Sequence, residues 1–204
     1  MGLIRAALRH GAVFAALICA FAVASPLRAQ ETVVTLDPAA TKIEITLGAT
    51  LHTVHGAFKL KSGEIHFDSA TGKATGSVVV DATSGNTDNG SRDKKMHAEV
   101  LESAKFPEVV FTPSQVKGSL KEVLAGQGAS QAEVSGVFRL HGQDHDMTLA
   151  ISAAPAAPGQ LQATAKFSIP FVKWGLKDPS TFMLHVSNAV DVEIQTTGRI
   201  STPR

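Results

Sequence analysis

The sequence is short of the residues on which several protein classes depend. It has one cysteine, one tryptophan and no tyrosine among 204 residues. The cysteine is Cys19, so residues 30–204 have none, which excludes disulfides and thiol chemistry from that part of the chain. Ile18 stands where a lipoprotein signal needs a small residue before its cysteine, which argues against lipid attachment.

The chain also lacks an excess of charge. Lysine and arginine number 19, and aspartate and glutamate number 18. Without the three arginines of the first 29 residues, 16 basic residues stand against 18 acidic ones, a net charge of −2. No basic stripe stands out, so we expect no nucleic-acid partner. No apolar run after residue 24 is long enough to span a membrane.

The N-terminus has the three parts of a secretory signal peptide. Arg5 and Arg9 give a basic start, residues 12–24 form an uncharged apolar run, and Ala29 offers a small residue for signal peptidase. We therefore predict a signal peptide over residues 1–29 and a periplasmic mature protein, with cleavage after Ala24 as the second choice. The apolar run is shorter than the roughly 20 residues that cross a bilayer, and an uncleaved anchor is the alternative.

Residues 30–204 alternate between apolar and polar side chains. Ile43, Ile45 and Leu47 are separated by charged or polar residues, and the same period of two recurs as far as residues 190–195. Strict alternation is typical of antiparallel strands with one apolar and one solvated face. With short glycine-containing turns between the runs, it predicts eight to ten strands in one all-β domain, either a closed barrel or a sandwich.

Residues 92–103 have helical spacing instead, which predicts one short helix. Asp88, Asn89 or Ser91 could cap its N-terminus, and Pro107 lies just beyond its end. The apolar positions of this helix are Met96, Val100 and Leu101.

Several longer motifs resemble those of a known family. They lie at residues 56–58, 65–68, 86–97, 106–111, 134–142, 147–149, 169–180 and 190–194. Together they resemble the YceI-like lipid/polyisoprenoid-binding family over essentially all of residues 31–197. The Arg92–Asp93 pair leading into a helix is fairly specific, and the Trp-Gly-Leu-Lys-Asp-Pro-Ser segment is specific to one branch.

The resemblance implies an extended lipocalin-like antiparallel β-barrel of about eight strands. It also implies a periplasmic location, a long apolar ligand threaded through the core and no established catalytic residue. Many family members have a histidine two residues after the Arg-Asp pair, whereas this chain has Lys95 there and His97 two residues later. A role of that family histidine therefore does not carry over to this chain.

Apolar side chains that face inward would contact such a ligand. An ordinary packed core is the alternative, and alternation alone does not separate the two, because both need apolar residues inside. The lipid-binding candidates are Val54, Phe58, Phe67, Val80, Phe111, Phe138, Leu140, Leu149, Phe167, Trp174, Val192 and Ile194.

The head-group candidates are Arg92 and Lys177. Arg92 could form an ion pair with Asp93 at the helix start, or its guanidinium could hold a phosphate at the barrel rim. Lys177 lies close to Trp174 in a segment, residues 172–181, that we expect to be irregular. Trp174 is predicted to plug one end of the barrel or to form part of its mouth.

Metal binding and catalysis find little support. His52 and His55 are three apart on a strand and face opposite sides. His141 and His145 could meet across a turn, but two ligands without a fixed set are poor evidence for a metal, and a solvated turn is expected. The chain has no G-x-S-x-G, H-E-x-x-H, Walker or dinucleotide motif.

These observations predict a periplasmic lipid carrier. It would hold a polyisoprenoid, quinone-like or fatty acyl chain, with no catalysis and no cofactor other than the lipid. Transient membrane contact for loading and a homodimer are both compatible with the sequence. The alternatives are a stress-related interaction module with a packed barrel and a small hydrolase that uses the rim histidines.

Overall fold

The computed structural model describes residues 31–50, 52–118, 120–181 and 185–202, and the predicted signal peptide lies outside them. The described residues form a closed antiparallel β-barrel, which confirms the predicted fold and makes the sandwich alternative wrong. None of the described helices is both long and apolar enough to cross a membrane.

Nine strand segments build the barrel in this part of the chain, and from β2 onwards each segment pairs with the next. They are β1 (Glu31–Leu36), β2 (Lys42–Gly48), β3 (Thr53–Asp68), β4 (Ala74–Asn86), β5 (Glu108–Gly118), β6 (Ser130–Leu140), β7 (Gln143–Pro155), β8 (Gln160–Ile169) and β9 (Val190–Ser201).

The first two segments are one interrupted strand, so the barrel has eight strand positions. β1 pairs with one half of β3 and of β9, and β2 pairs with the other half of the same two strands. A 3-10 turn, Pro38–Ala40, separates them, and the Asp37 carboxylate caps it by accepting the Ala39 N–H at 2.9 Å. Pairing of β3 with β4 completes the ring.

The alternation of the sequence becomes an inner and an outer face. On β6, the side chains of Ala132, Val134 and Phe138 are buried inside the barrel, while those of Glu133 and Arg139 are exposed. Burial of a large apolar side chain stabilises the fold by about 1.5–3 kcal/mol. Added over all strands, this burial free energy determines which face of each strand points inward.

One end of the barrel carries the predicted helix, two residues earlier than expected. Helix α1 (Gly90–Lys95) follows β4, and a π-helical turn, Met96–Val100, extends it. It starts early because the Asn89 side chain accepts the Arg92 N–H at 3.0 Å. It does not run to residue 103, because Glu102 adopts a φ of 45°, outside the right-handed helical range.

The opposite end is covered by a second short helix that the sequence did not predict. Helix α2 (Lys121–Leu124) lies between β5 and β6. It places Val123 in the hydrophobic core, where this residue is only 1% exposed. We call the two ends the α1 end and the α2 end. The irregular residues 170–181 lie at the α1 end, because β8 finishes there and β9 begins there.

Candidate functional site

A cavity of about 670 Å³ occupies the barrel interior. Its lining includes Val54 near the start of β3 and Phe67 near the end of the same strand. At about 3.3 Å per residue these positions are roughly 40 Å apart along β3. The cavity therefore follows nearly the whole length of the barrel.

Side chains from all nine strand segments line this cavity, and nearly all of them are apolar. Eleven of the twelve lipid-binding candidates are among them, because alternation had placed them on the inner face. These eleven are Val54, Phe58, Phe67, Val80, Phe111, Phe138, Leu140, Leu149, Phe167, Val192 and Ile194.

The polar part of the lining is concentrated at the α1 end. Arg92 and Lys95 are the charged residues of the lining, and no aspartate or glutamate belongs to it among the described residues. Most of the uncharged polar residues lie at the same end, namely His52, Thr87, Ser91 and Thr181.

Arg92 is held in place by Thr87, which is only 6% exposed. The guanidinium donates from Nε to the Thr87 hydroxyl at 2.7 Å and from Nη2 to the Thr87 carbonyl at 2.6 Å. The Thr87 hydroxyl in turn donates to Asp93 Oδ1 at 2.5 Å, and the Thr87 backbone N–H donates to the same carboxylate oxygen at 3.0 Å. The expected Arg92–Asp93 contact is thus made through Thr87, since both side chains turn back towards the end of β4.

The turn after α1 is anchored to β4. His97 donates from Nε2 to the Gly85 carbonyl at 2.9 Å, and its Nδ1 lies 3.0 Å from the hydroxyl of buried Ser103. Gly85 leaves room for two side chains, because a β-carbon there would lie 2.6 Å from Phe58 and 2.8 Å from Met96. This close packing sets where the helix sits over the cavity.

Trp174 does not line the cavity, contrary to the sequence prediction. Its ring stacks on His145, with centroids 4.0 Å apart, and packs against Phe138, with centroids 5.8 Å apart. Phe138 and His145 lie opposite each other on β6 and β7, so both side chains are on the inner face and Trp174 packs against that face at the α1 end. Of the two predicted roles, the plug is nearer to this arrangement than the mouth.

Lys177 also lies away from the cavity, and its assignment as a head-group candidate needs correction. Its ammonium group contacts Glu99 at 2.6 Å, and both side chains are exposed. The hydrogen bond from Lys177, followed by its charge, lowers the pKa of Glu99. Lys95, which sequence reasoning did not select as a candidate, lines the cavity instead. Its spacing of three from Arg92 on one helix could have indicated this.

The histidines of the β6–β7 hairpin have separate partners. His141 contacts Glu102 at 2.7 Å, and His145 stacks on Trp174. The nearby Asp144 is bound by both arms of Arg139, at 2.6 and 2.9 Å. In the described ranges, no three or more histidine, cysteine or acidic side chains are placed to share a metal ion.

Comparison with known proteins finds one family and several similar folds. The model of the YceI-like domain family matches residues 34–198. A polyisoprenoid binding domain from Saccharophagus degradans implicated in plant cell wall breakdown is 16% identical, with a TM-score of 0.61 over 83% of this chain and 98% of that one. BcnA from Burkholderia cenocepacia is 16% identical, with a TM-score of 0.62 over 79% and 98%. The YCEI protein of Campylobacter jejuni is 17% identical, with a TM-score of 0.56 over 76% and 88%. Comparison with curated proteins gives no match.

Proposed function

The chain belongs to the YceI-like family, and from that premise we propose that it binds one apolar lipid chain inside its barrel. The observation that carries the proposal is the cavity of about 670 Å³, lined by apolar side chains along its length. A water-sized group takes about 30 Å³, so this volume suits a chain of roughly twenty carbons.

The size of the cavity favours a bound ligand over a packed barrel. Apolar side chains around an unfilled space lose the dispersion contacts that a packed core would give them, and water does not replace them. A lipid that fills the space restores these contacts.

The apolar contact alone provides enough free energy for useful affinity. Burial of about 400 Å² of lipid surface at about 25 cal/mol per Å² contributes about 10 kcal/mol. The lost freedom of the lipid removes several kcal/mol of this. The remainder, about 6 kcal/mol, corresponds to a Kd of about 10–100 μM with no polar contact.

The lipid class and the location complete the proposal. The similar domain from Saccharophagus degradans is described as polyisoprenoid binding, which supports an isoprenoid here, with quinone-like and fatty acyl chains as the other candidates. The signal-peptide pattern of residues 1–29 supports a periplasmic carrier that loads by transient contact with a membrane. We assign no catalysis to it, because the described lining offers a ligand mainly apolar contacts and no hydrogen-bonded pair of nucleophile and base is found in it.

Organic-solvent extraction of the purified protein, followed by mass spectrometry, tests this proposal. We expect one long-chain lipid in near-stoichiometric amount. The lipid-depleted protein should then take up an added isoprenoid, quinone or fatty acid. A protein that yields no lipid and takes up none of these would overturn the proposal in favour of the packed interaction module.

A further inference from the structure

The charge of the cavity lining is asymmetric. Its charged side chains, Arg92 and Lys95, both come from α1, and the described lining has no carboxylate. At the α2 end the lining is apolar and includes Val116, Leu120 and Ala132. A single-chain lipid in this cavity therefore meets positive charge at one end and only apolar side chains at the other.

Arg92 is prepared to bind an anion. Two of its five N–H donors are used by Thr87, and within the described residues no other hydrogen bond of the guanidinium is found, so three donors can serve a ligand. Because these two bonds already fix the guanidinium, a ligand that binds it loses little further side-chain freedom. The planar guanidinium matches the paired oxygens of a carboxylate or a phosphate.

Lys95 adds a second cation on the same face of the helix, three positions further along. Its Nζ lies 3.5 Å from the Pro179 carbonyl oxygen, so it reaches across the cavity mouth to residues 170–181. Two nearby carboxylates have partners of their own: Asp93 accepts a hydrogen bond from Thr87, and Glu99 binds Lys177, with a smaller electrostatic contribution from Lys95.

From this arrangement we propose that the α1 end selects lipids with a negatively charged head group, a carboxylate or a phosphate, over neutral lipids with the same chain. The inference rests on the proposed lipid-binding function. Hydrogen bonds to charged groups contribute about 1.5–3 kcal/mol, so one such bond corresponds to a preference of about tenfold or more.

Binding of matched lipid pairs to the lipid-depleted protein near pH 8 tests the selection. One pair is hexadecanoic acid and hexadecan-1-ol, and the other is geranylgeranyl phosphate and geranylgeraniol. We expect the charged member to bind about tenfold more tightly in at least one pair, and that pair identifies the head group. Equal binding within both pairs would overturn the inference and leave the lipid-binding proposal standing. Failure of all four lipids to bind would instead overturn the proposed function.

Two charge-reversal variants locate the selection. Lys95→Glu should abolish the preference for the charged lipid, whereas Lys94→Glu should keep it, because both lysines are exposed but only Lys95 lines the cavity. Both variants change the net charge equally, so a global electrostatic effect would alter them alike and would overturn the assigned site. Lys95→Gln is a milder second variant and should reduce the preference severalfold without loss of affinity for the alcohol.

Discussion

Trp174 lies flat on His145, with ring centroids 4.0 Å apart and ring planes within 4° of parallel. This stack buries Nε2 of His145, for which no described residue provides a hydrogen-bond partner. A buried polar atom without a partner costs about 1–3 kcal/mol. The contact thus combines favourable ring packing at the α1 end of the barrel with an unfavourable buried nitrogen.

Substitution of His145 by phenylalanine should increase stability. The ring stack on Trp174 is kept while the unpaired nitrogen is removed, so we expect the free energy of unfolding to rise by about 1–3 kcal/mol. Urea denaturation at neutral pH measures it. His141→Phe on the same hairpin is the control and should lower stability, because it removes the 2.7 Å contact with Glu102. A loss of stability in both variants would contradict the prediction.

Lipid retention should depend on which face of β9 is changed. Val192 is 7% exposed and lines the cavity, so Val192→Arg places a charge in the lipid's path and should abolish retention. Gln195 is exposed on the outer face, and Gln195→Arg should leave the lipid content unchanged. Mass spectrometry of extracts reports the lipid, and circular dichroism checks that each variant folds. Full lipid content in folded Val192→Arg would contradict interior binding.

Close packing at Gly85 should make this position intolerant of a methyl group. In Gly85→Ala the new carbon meets Phe58 and Met96 at less than 3 Å, and overpacking of this kind costs about 1–3 kcal/mol. Gly90→Ala is the matched control, because nothing lies within 4 Å and alanine favours the helix. Thermal unfolding should separate the two variants. Equal melting temperatures would show that the helix is not seated on β4 as described.

His66 should make the β1–β3 pairing sensitive to pH. The hydrogen bond with Glu64 at 2.8 Å raises the pKa of His66 above its ordinary value of 6.5, partial burial opposes this, and Glu31 on β1, at 3.1 Å, raises it further. Because the folded pKa is the higher one, the stabilisation is complete below about pH 6.5 and is lost as the pH rises through the folded value.

Comparison of the wild type with His66→Gln measures this effect. The stability difference should be larger near pH 6 than near pH 9, and an NMR titration of the His66 ring should give a pKa above 6.5. Glu64→Gln should reduce that pKa more than Glu31→Gln does, because the Glu64 bond is the largest cause of the shift. A stability difference that grows with pH would contradict the assignment.

The sequence predicts the barrel and its inner face well, because alternation ties each residue's position to one side of a strand. Phe58, Phe138 and Val192 line the cavity for this reason. Trp174 and Lys177 could not be placed in the same way, since residues 170–181 have no regular period and their side chains are directed by contacts with distant partners.

The other differences between the sequence predictions and the structure are caused by local contacts. The start of α1 depends on which of several capping residues is used, and only the structure shows that Asn89 is the one. Helix α2 has four residues, too few for a helical period to be visible in the sequence. The Thr87 bridge between Arg92 and Asp93 likewise depends on the end of β4 turning towards α1.

The joint between the first and last strands determines when the barrel can be completed. Thr41 and Thr196 meet there, with hydroxyl oxygens 2.6 Å apart and a sequence separation of 155 residues. The other neighbouring strands are consecutive in the chain and can pair as hairpins. When the N-terminal part of the chain becomes available first, β1 and β2 therefore remain an open sheet edge until β9 can pair with them. We expect closure of this joint to be the slowest folding step and the stage most exposed to edge-to-edge aggregation.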